Sequence, residues 1–227
     1  MYNLPIVFVI GLGRSGTNML GRFLAKSPDT LCDLERQPQF NLSIRAAILG
    51  SEKAWRELIS VYADRLAVAS NTNKLYCTKD HVNIWQVLRL ANRFPNAKFI
   101  NIERDVYGVV ASSLLHKGVM GWIENDYPPN PLSANNVVNF EELTPVERLV
   151  ERWLQHKTES RRLQQLLDAT KLVSINFAEF EAAEQSICDF LDITSPDNFN
   201  FNATTVNKWQ EQLTKQTIAE IEAYLNG

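Results

Sequence analysis

Short apolar runs recur along the chain and are separated by longer amphipathic stretches. The first run, IVFVI at residues 6–10, is continuous and rich in β-branched residues. Such a run is typical of a strand buried on both faces of a parallel sheet. Shorter runs predict four further strands, at residues 30–32, 75–78, 97–102 and 172–175. The pattern therefore predicts a sheet of five strands.

Between these runs, apolar residues recur with the three-to-four-residue spacing of amphipathic helices. This spacing predicts helices at about residues 17–26, 38–70, 82–93, 106–117, 145–167, 181–191 and 215–225. Because strands and helices alternate, we expect an α/β fold in which helices cover both faces of a parallel sheet, in three layers. Ligands of such folds bind at the carboxyl ends of the strands.

Two stretches depart from this simple alternation. Residues of about 38–70 form a predicted helical insertion. Residues of about 118–143 contain three prolines and several asparagines, which predict an irregular loop. A loop of this length is more often functional than a plain connection. With both stretches included, the 227 residues fit one domain over residues 1–227.

Composition narrows the class of protein. The net charge is -3, whereas nucleic-acid-binding proteins usually carry a basic excess, so we expect no nucleic-acid partner. The three cysteines form no CxxC pair, which indicates neither a zinc site nor a disulfide framework. We therefore expect a reducing, cytoplasmic location. The apolar run after Pro5 is too short to span a membrane, and we expect no membrane span.

The segment GLGRSGTN at residues 11–18 follows the first predicted strand and opens the first predicted helix. Backbone N–H groups and the helix dipole favour an anion at such a helix start. Thr17 and Asn18 stand where a nucleotide triphosphatase loop has lysine and then serine or threonine. The segment therefore predicts a phosphate-binding loop without the residues that serve a magnesium ion. The alternative is a glycine-rich turn that holds no ligand.

This loop resembles the 5′-phosphosulfate loop of sulfotransferases that use 3′-phosphoadenosine 5′-phosphosulfate (PAPS), especially the tyrosylprotein and bacterial branch. Gly13 stands where that branch often has proline, and Asn18 where it often has a second threonine. The resemblance implies a P-loop-type fold, PAPS as sulfuryl donor, adenosine 3′,5′-bisphosphate (PAP) as product, and no requirement for a metal. It also implies that the donor is bound by Gly13, Arg14, Ser15, Gly16, Thr17 and Asn18.

A second segment resembles the family where it holds the 3′-phosphate of the donor. Arg104 ends the fourth predicted strand, and Ser112 follows eight residues later. A guanidinium suits this role because its planar fork pairs with phosphate oxygens. The segment TTVNKW at residues 204–209 resembles a late donor-binding segment, in which Lys208 replaces a more common arginine. Taken alone, Arg104 and Lys208 are also compatible with ordinary surface positions.

The resemblance also implies catalytic residues. Lys79 at the end of the third predicted strand and Arg14 in the loop would stabilise charge on the departing phosphate and the sulfuryl oxygens. A base must take the proton of the acceptor hydroxyl. Glu35 resembles the glutamate of tyrosylprotein sulfotransferases, and His81 resembles the histidine of cytosolic small-molecule sulfotransferases. We favour Glu35 because the loop resembles the glutamate branch, and His81 stays the alternative.

Other functions and several acceptors stay open. A divergent kinase of the P-loop class is disfavoured by the missing loop lysine, and a non-catalytic nucleotide-binding module is disfavoured by the presence of Arg14, Lys79 and a base. The acceptor is a hydroxyl of a small molecule, a sugar, a lipid or a peptide. Residues 38–70 and 118–143 are expected to shape its pocket. The sequence indicates no oligomeric state.

Overall fold

Five parallel strands form one sheet in the computed structural model, which describes residues 5–124, 140–197, 199–201 and 206–227. The strands are β1 (Ile6–Gly11), β2 (Thr30–Leu34), β3 (Leu75–Lys79), β4 (Lys98–Glu103) and β5 (Leu172–Asn176). Their order is β2-β3-β1-β4-β5, and every neighbouring pair is parallel. All five strands are at the positions that the apolar runs predict.

Helices follow the strands in the expected alternation. They are α1 (Thr17–Lys26), α2 (Gln39–Ala47), α3 (Glu52–Asn71), α4 (Val87–Arg93), α5 (Val106–Leu114), α6 (Lys117–Glu124), α7 (Pro145–Leu166), α8 (Phe180–Leu191), α9 (Trp209–Gln212) and α10 (Lys215–Asn226). Short 3₁₀ helices occupy His81–Gln86, Phe140–Glu142 and Phe177–Glu179. None of the helices in the described ranges is both long enough and apolar enough to cross a membrane.

The central strand β1 is buried on both faces, as its uninterrupted apolar sequence predicts. Ile6, Phe8 and Ile10 belong to a core that includes residues of α2, α3 and α4. Val7 and Val9 belong to a second core with residues of α1 and α8. A third core lies among α5, α6, α7 and α10. The three-layer α/β/α fold is therefore confirmed.

The predicted helical insertion is two helices rather than one. Between α2 and α3 the backbone turns at Gly50, whose φ of 62° lies in the left-handed region that glycine adopts without steric cost. Ser51 then caps α3, because its side-chain oxygen accepts a hydrogen bond from the Ala54 amide at 3.2 Å. The prediction that this stretch is helical is correct, and Ser51 marks where the second helix begins.

The predicted irregular loop begins too early. Residues 118–124 belong to α6 rather than to a loop, since Ile123 is buried in the third core and Val119 and Met120 pack against it. Apolar contacts thus override the glycines that favour an irregular backbone. The three prolines lie at residues 128, 129 and 131, outside the described residues. Neither of these corrections changes the prediction of a single domain.

The order of the strands determines where a ligand has room. From β1 the chain proceeds to one side of the sheet through β2 and β3, and then to the other side through β4 and β5. The connections leaving the carboxyl ends of β1 and β4 therefore diverge, which opens a crevice at that edge. The loop at residues 11–16 follows β1 and lies at this switch point.

Candidate functional site

The loop after β1 is packed so closely that two of its glycines have no room for a side chain. Gly11 has a φ of 139°, and a Cβ there would lie 2.6 Å from the Ile102 carbonyl oxygen. Gly16 has a φ of 106°, and a Cβ there would lie 2.4 Å from Cδ2 of Phe177. Both glycines are therefore required by backbone conformation and by space. They bring the loop against β4 and the 3₁₀ helix after β5.

Ser15 stabilises this loop through buried hydrogen bonds. Its hydroxyl is 2.6 Å from the Leu12 carbonyl oxygen and 2.9 Å from that of Ile102, and the residue is 1% exposed. Its backbone N–H also donates to the Leu12 carbonyl, at 3.1 Å. The hydroxyl and the backbone N–H of Ser15 thus both donate hydrogen bonds within the protein. They stabilise the loop, and the contact of Ser15 with PAPS stays a prediction.

Two arginines meet at the loop. Arg14 has a φ of 77°, in the left-handed region, and its Nε donates to Ser112 Oγ at 3.0 Å. Arg104 approaches from β4, with Nη1 3.5 Å from the Arg14 carbonyl oxygen and its guanidinium 4.6 Å from the Phe177 ring centroid. Burial lowers the pKa of both arginines. The two segments predicted to bind phosphate are therefore adjacent in space.

A cavity of about 640 Å³ opens beside Arg104, at the carboxyl ends of β4 and β5. We call it the large cavity. Its walls include Asn101, Glu103, Tyr107, Trp153, Asn207 and Trp209. Trp209 stacks on Tyr107 with ring centroids 4.6 Å apart. Lys208 precedes α9 and is exposed, and it is not among the residues that line this cavity.

A second cavity, of about 370 Å³, lies on the other side of the loop. We call it the small cavity. Leu12 lines both cavities, whereas Gly13, Arg14, Thr17 and Asn18 face the small one. Its other polar walls include Glu35, Lys79, His81 and Arg152, and its apolar walls include Phe40, Ile44, Val119 and Trp122. The predicted catalytic residues are thus gathered in one cavity.

Glu35 is the centre of the charged cluster in the small cavity. Its backbone N–H donates to the Lys79 carbonyl at 2.9 Å, which extends the pairing of β2 with β3, and its φ of 49° then turns the chain. Its Oε1 accepts hydrogen bonds from Lys79 Nζ and, at 2.9 Å, from His81 Nδ1. Neither of these contacts involves Oε2, which has no hydrogen-bond partner among the described residues.

These contacts set the protonation states. Burial alone would raise the pKa of Glu35, but the hydrogen bond and charge of His81, together with Lys79, lower it to about 2. Burial lowers the pKa of His81 below its ordinary value of 6.5, and Glu35 only partly opposes this. At neutral pH Glu35 is therefore ionised and His81 is neutral. Because a carboxylate only accepts hydrogen bonds, His81 Nδ1 carries the proton and Nε2 carries the lone pair.

Asp80 lies in the chain between Lys79 and His81, and its buried carboxylate is held by several hydrogen bonds. Its Oδ2 accepts hydrogen bonds from Gln39 Nε2 at 2.7 Å and from Tyr62 Oη at 3.0 Å. Further hydroxyl donors, at 3.2 and 3.3 Å, come from Ser43 and Thr78. Burial still raises the pKa of Asp80, to about 6. The sequence analysis missed this residue, although its place between two candidate site residues is a signal that could have found it.

Arg152 on α7 is the second residue that the sequence analysis missed. It is buried and lines the small cavity. Leu149, Arg152, His156 and Leu163 are all buried on this helix, at the spacing of one helical face. Its spacing from Leu149 and Leu163 places Arg152 on the helical face that their apolar side chains predict to be buried, which is a signal in the sequence. Across the described ranges there is no cluster of three or more His, Cys, Asp or Glu that could hold a metal ion.

Comparisons with known proteins give the family and the fold. A profile described as "Sulfotransferase family" matches residues 5–197. Protein-tyrosine sulfotransferase A of Caenorhabditis elegans is 28% identical over 140 residues, which cover 54% of this chain and 37% of that protein. The match thus spans well under half the length of this curated relative.

Two solved structures share the fold. The sulfotransferase domain from the curacin biosynthetic pathway has a TM-score of 0.62 at 14% identity, and the alignment covers 100% of this chain and 99% of that one. Mouse sulfotransferase SULT7A1, solved as a complex with PAP, has a TM-score of 0.54 at 14% identity, and the alignment covers 98% of this chain and 83% of that one. At this level of identity the likeness concerns the fold.

Proposed function

The chain belongs to the sulfotransferase family, and we propose that it transfers the sulfuryl group of PAPS to a hydroxyl of an acceptor. The observation that carries the proposal is the position of the loop between two cavities. On one side the loop contacts Arg104 and the large cavity, and on the other it faces Glu35, Lys79 and His81 in the small cavity. A donor held at the loop would present its reacting end to the charged cluster.

The loop and the cationic and hydroxyl groups around it fit a bisphosphorylated nucleotide. The close packing of Gly11 and Gly16 against Ile102 and Phe177 fixes the backbone of the loop as a cradle, and the helix start behind it favours an anion. Arg14 and Arg104 are two cations beside this cradle, and Ser112 supplies a hydroxyl next to Arg14. We propose that Arg104 and Ser112 bind the 3′-phosphate and that the large cavity holds the adenosine. Lys208 stays a predicted contact.

We propose that the small cavity holds the acceptor, with Glu35 as the base. Glu35 is ionised at neutral pH, and its Oε2 is available, since both Lys79 and His81 bind Oε1. The acceptor proton would move to Oε2 while the acceptor oxygen forms a bond to sulfur. The bond between that sulfur and the bridging oxygen of the 5′-phosphate breaks, and PAP leaves. When bound, PAPS supplies this sulfuryl group and requires no further reactant.

Lys79 has two roles in this proposal. It holds Glu35 in place before reaction, and its ammonium stabilises negative charge that develops near the loop. Burial lowers its pKa, and Glu35 opposes this shift. When Lys79 turns toward the departing phosphate, Glu35 loses part of its stabilisation as an anion and becomes a stronger base. The charge cluster thus couples proton removal to departure of the leaving group.

The test combines donor binding with transfer. Calorimetric titration of the protein with PAP in EDTA should show a dissociation constant of about 100 μM or lower, and Arg104→Met should weaken it at least about tenfold through loss of a charge-assisted contact. Arg161→Met on the exposed face of α7 is the matched control and should leave binding unchanged. Transfer of labelled sulfate from PAPS to an extract of hydroxyl compounds should occur with wild type.

Three outcomes would contradict the proposal. Absence of PAP binding would remove the donor, and PAP binding without transfer to any acceptor would indicate a nucleotide-binding module. A larger rise in melting temperature with Mg-ATP than with PAP at the same concentration would favour a kinase, because the ligand with the lower dissociation constant stabilises the folded state more.

A further inference from the structure

Arg152 is a buried cation that has no counterion among the residues that the structure describes. The residue is 8% exposed. No hydrogen bond or ion pair of its guanidinium occurs in the described part of the chain. The guanidinium lies over the Trp122 ring, with Cζ 5.8 Å from the ring centroid. Burial lowers its pKa to about 10, so the side chain is still charged at neutral pH. A buried charge without a partner is strongly unfavourable for folding.

Other arginines of the protein do have acidic partners. Arg65 makes two hydrogen bonds to Asp33, at 2.6 and 3.0 Å, and Arg162 makes two to Glu159, both at 2.7 Å. Near Arg152, the carboxylate of the small cavity is Glu35, and its Oε1 is already bound to Lys79 and His81. The described residues thus supply a counterion for arginines elsewhere but none for Arg152, which favours an anionic ligand there.

The cavity around Arg152 constrains that ligand. Arg152 lines the small cavity together with Glu35, and the other walls of this cavity include Phe40, Ile44, Val119 and Trp122. These walls are aromatic or aliphatic and fit an apolar molecular body. A volume of about 370 Å³ is near the lower end of ordinary ligand pockets, which begin at roughly 300 Å³. The occupant is therefore compact.

We propose that Arg152 determines acceptor specificity by pairing with an oxyanion, such as a carboxylate, on a compact acceptor with an apolar body. The acceptor would thus carry a hydroxyl at one end, directed to Glu35, and a negative charge at the other. This inference rests on the proposed function, since it assigns the small cavity to the acceptor. It commits to a small anionic hydroxyl compound rather than to a neutral one.

The test uses a pair of probes that differ in charge and little in shape, 4-hydroxyphenylacetate and 4-hydroxyphenylacetamide. Protein saturated with PAP is titrated with each by calorimetry. Wild type should bind the carboxylate at least about tenfold more tightly, because a desolvated charge pair contributes more than a neutral contact. Arg152→Met should abolish this preference, and Arg161→Met should retain it. The affinity for PAP should stay within about twofold in both variants.

A stability measurement separates this role from a structural one. Methionine fills similar space without a charge, so Arg152→Met should raise the melting temperature by about 2–4 °C. A fall in melting temperature together with an unchanged preference for the carboxylate would show that Arg152 is structural, and the proposal would be wrong.

Two further results would also overturn it. Equal or absent binding of the two probes by PAP-saturated wild type would reject an oxyanion site and leave the proposed sulfuryl transfer intact, because PAP is bound in that experiment. A tenfold loss of PAP affinity in Arg152→Met would assign Arg152 to the donor instead. If wild type fails to bind PAP at all, the proposed function itself is wrong.

Discussion

The large and the small cavity share Leu12 as a wall, but they are built in different ways. The large cavity adjoins a loop that the backbone determines, with glycines at Gly11 and Gly16 and an internal lock at Ser15. Its cation, Arg104, stacks on Phe177 next to that loop. The small cavity takes Arg14 from the same loop, and its other charged groups come from the ends of β2 and β3, from the 3₁₀ helix that follows β3, and from α7.

The difference concerns how each cavity balances charge. Arg104, on the large-cavity side, meets Arg14 at the glycine-rich loop, an arrangement suited to a ligand with two phosphate groups. In the small cavity, Glu35 is held by Lys79 and His81, while Arg152 has no counterion of its own among the described residues. We infer that one side accepts a donor common to the family, and the other accepts a substrate particular to this chain.

The largest effect should follow from Glu35→Gln, which removes the proposed base and leaves the loop intact. We expect kcat to fall about 10²–10⁴-fold, the usual contribution of a general base. The affinity for PAP should change far less than kcat, and any change should be a gain, because Arg14 and Lys79 lose the negative charge of a neighbour. Glu57→Gln on the exposed side of α3 is the control. Steady-state transfer assays and calorimetry measure the two effects, and an equal loss of both would remove the functional distinction between the cavities.

The pH dependence of the same assay distinguishes the two candidate bases. A base works only when deprotonated, so activity is lost as the pH falls through its pKa. The pKa of Glu35 is about 2. With Glu35 as base, kcat/KM should therefore show no loss on acidification from about pH 8 to 5. With His81 as base, activity would fall on acidification below its ordinary pKa of 6.5, because its own pKa is lowered from that value.

The next largest effect should come from the loop itself. Gly16→Ala puts a Cβ 2.4 Å from Phe177 at a φ of 106°, so we expect a loss of about 3 kcal/mol in the free energy of unfolding from strain and overpacking. PAP binding should weaken as well. Gly50→Ala is the matched control, because its φ is 62° but nothing lies within 4 Å of the added Cβ.

The control isolates the cause. Gly50→Ala should cost only about 1 kcal/mol, the strain of a left-handed backbone, and should leave PAP binding unchanged. Denaturant unfolding and calorimetry measure both quantities. Similar losses in the two variants would mean that close packing against Phe177 does not hold the loop.

The same contrast explains what the sequence could predict. The five strands and the loop follow from local signals, namely buried β-branched runs and glycines at a strand–helix junction. Arg152 and Asp80 were missed because their importance depends on neighbours distant in sequence, such as Trp122 and Tyr62. Helix α6 was predicted as a loop because its stability comes from tertiary contacts of Ile123 rather than from local propensity.

The smallest effect should come from the wall between the cavities, helix α7. Arg152 lines the small cavity and His156 the large one, and burial, followed by the charge of Arg152, lowers the pKa of His156 to about 3. Unfolding releases His156 to its ordinary pKa of 6.5, so the unfolded state binds more protons between these values. This residue should therefore make the protein less stable as the pH falls, by about 2 kcal/mol between pH 7 and 5.

His156→Asn tests this contribution, because the asparagine amide can replace the ring Nδ1–H that donates to the Arg152 carbonyl at 2.9 Å. We expect unfolding measured at pH 7 and pH 5 to show a pH dependence about 2 kcal/mol smaller than that of wild type, whereas His116→Asn, at an exposed histidine, should leave it in place. Burial raises the pKa of Asp80, so Asp80 makes the protein more stable as the pH falls through this window. For this reason only the difference in pH dependence between variant and wild type is informative.

In Arg152→Met the His156 contribution should shrink, since the cation that opposes protonation is gone. If it stays the same, the two cavities are not electrostatically coupled through α7.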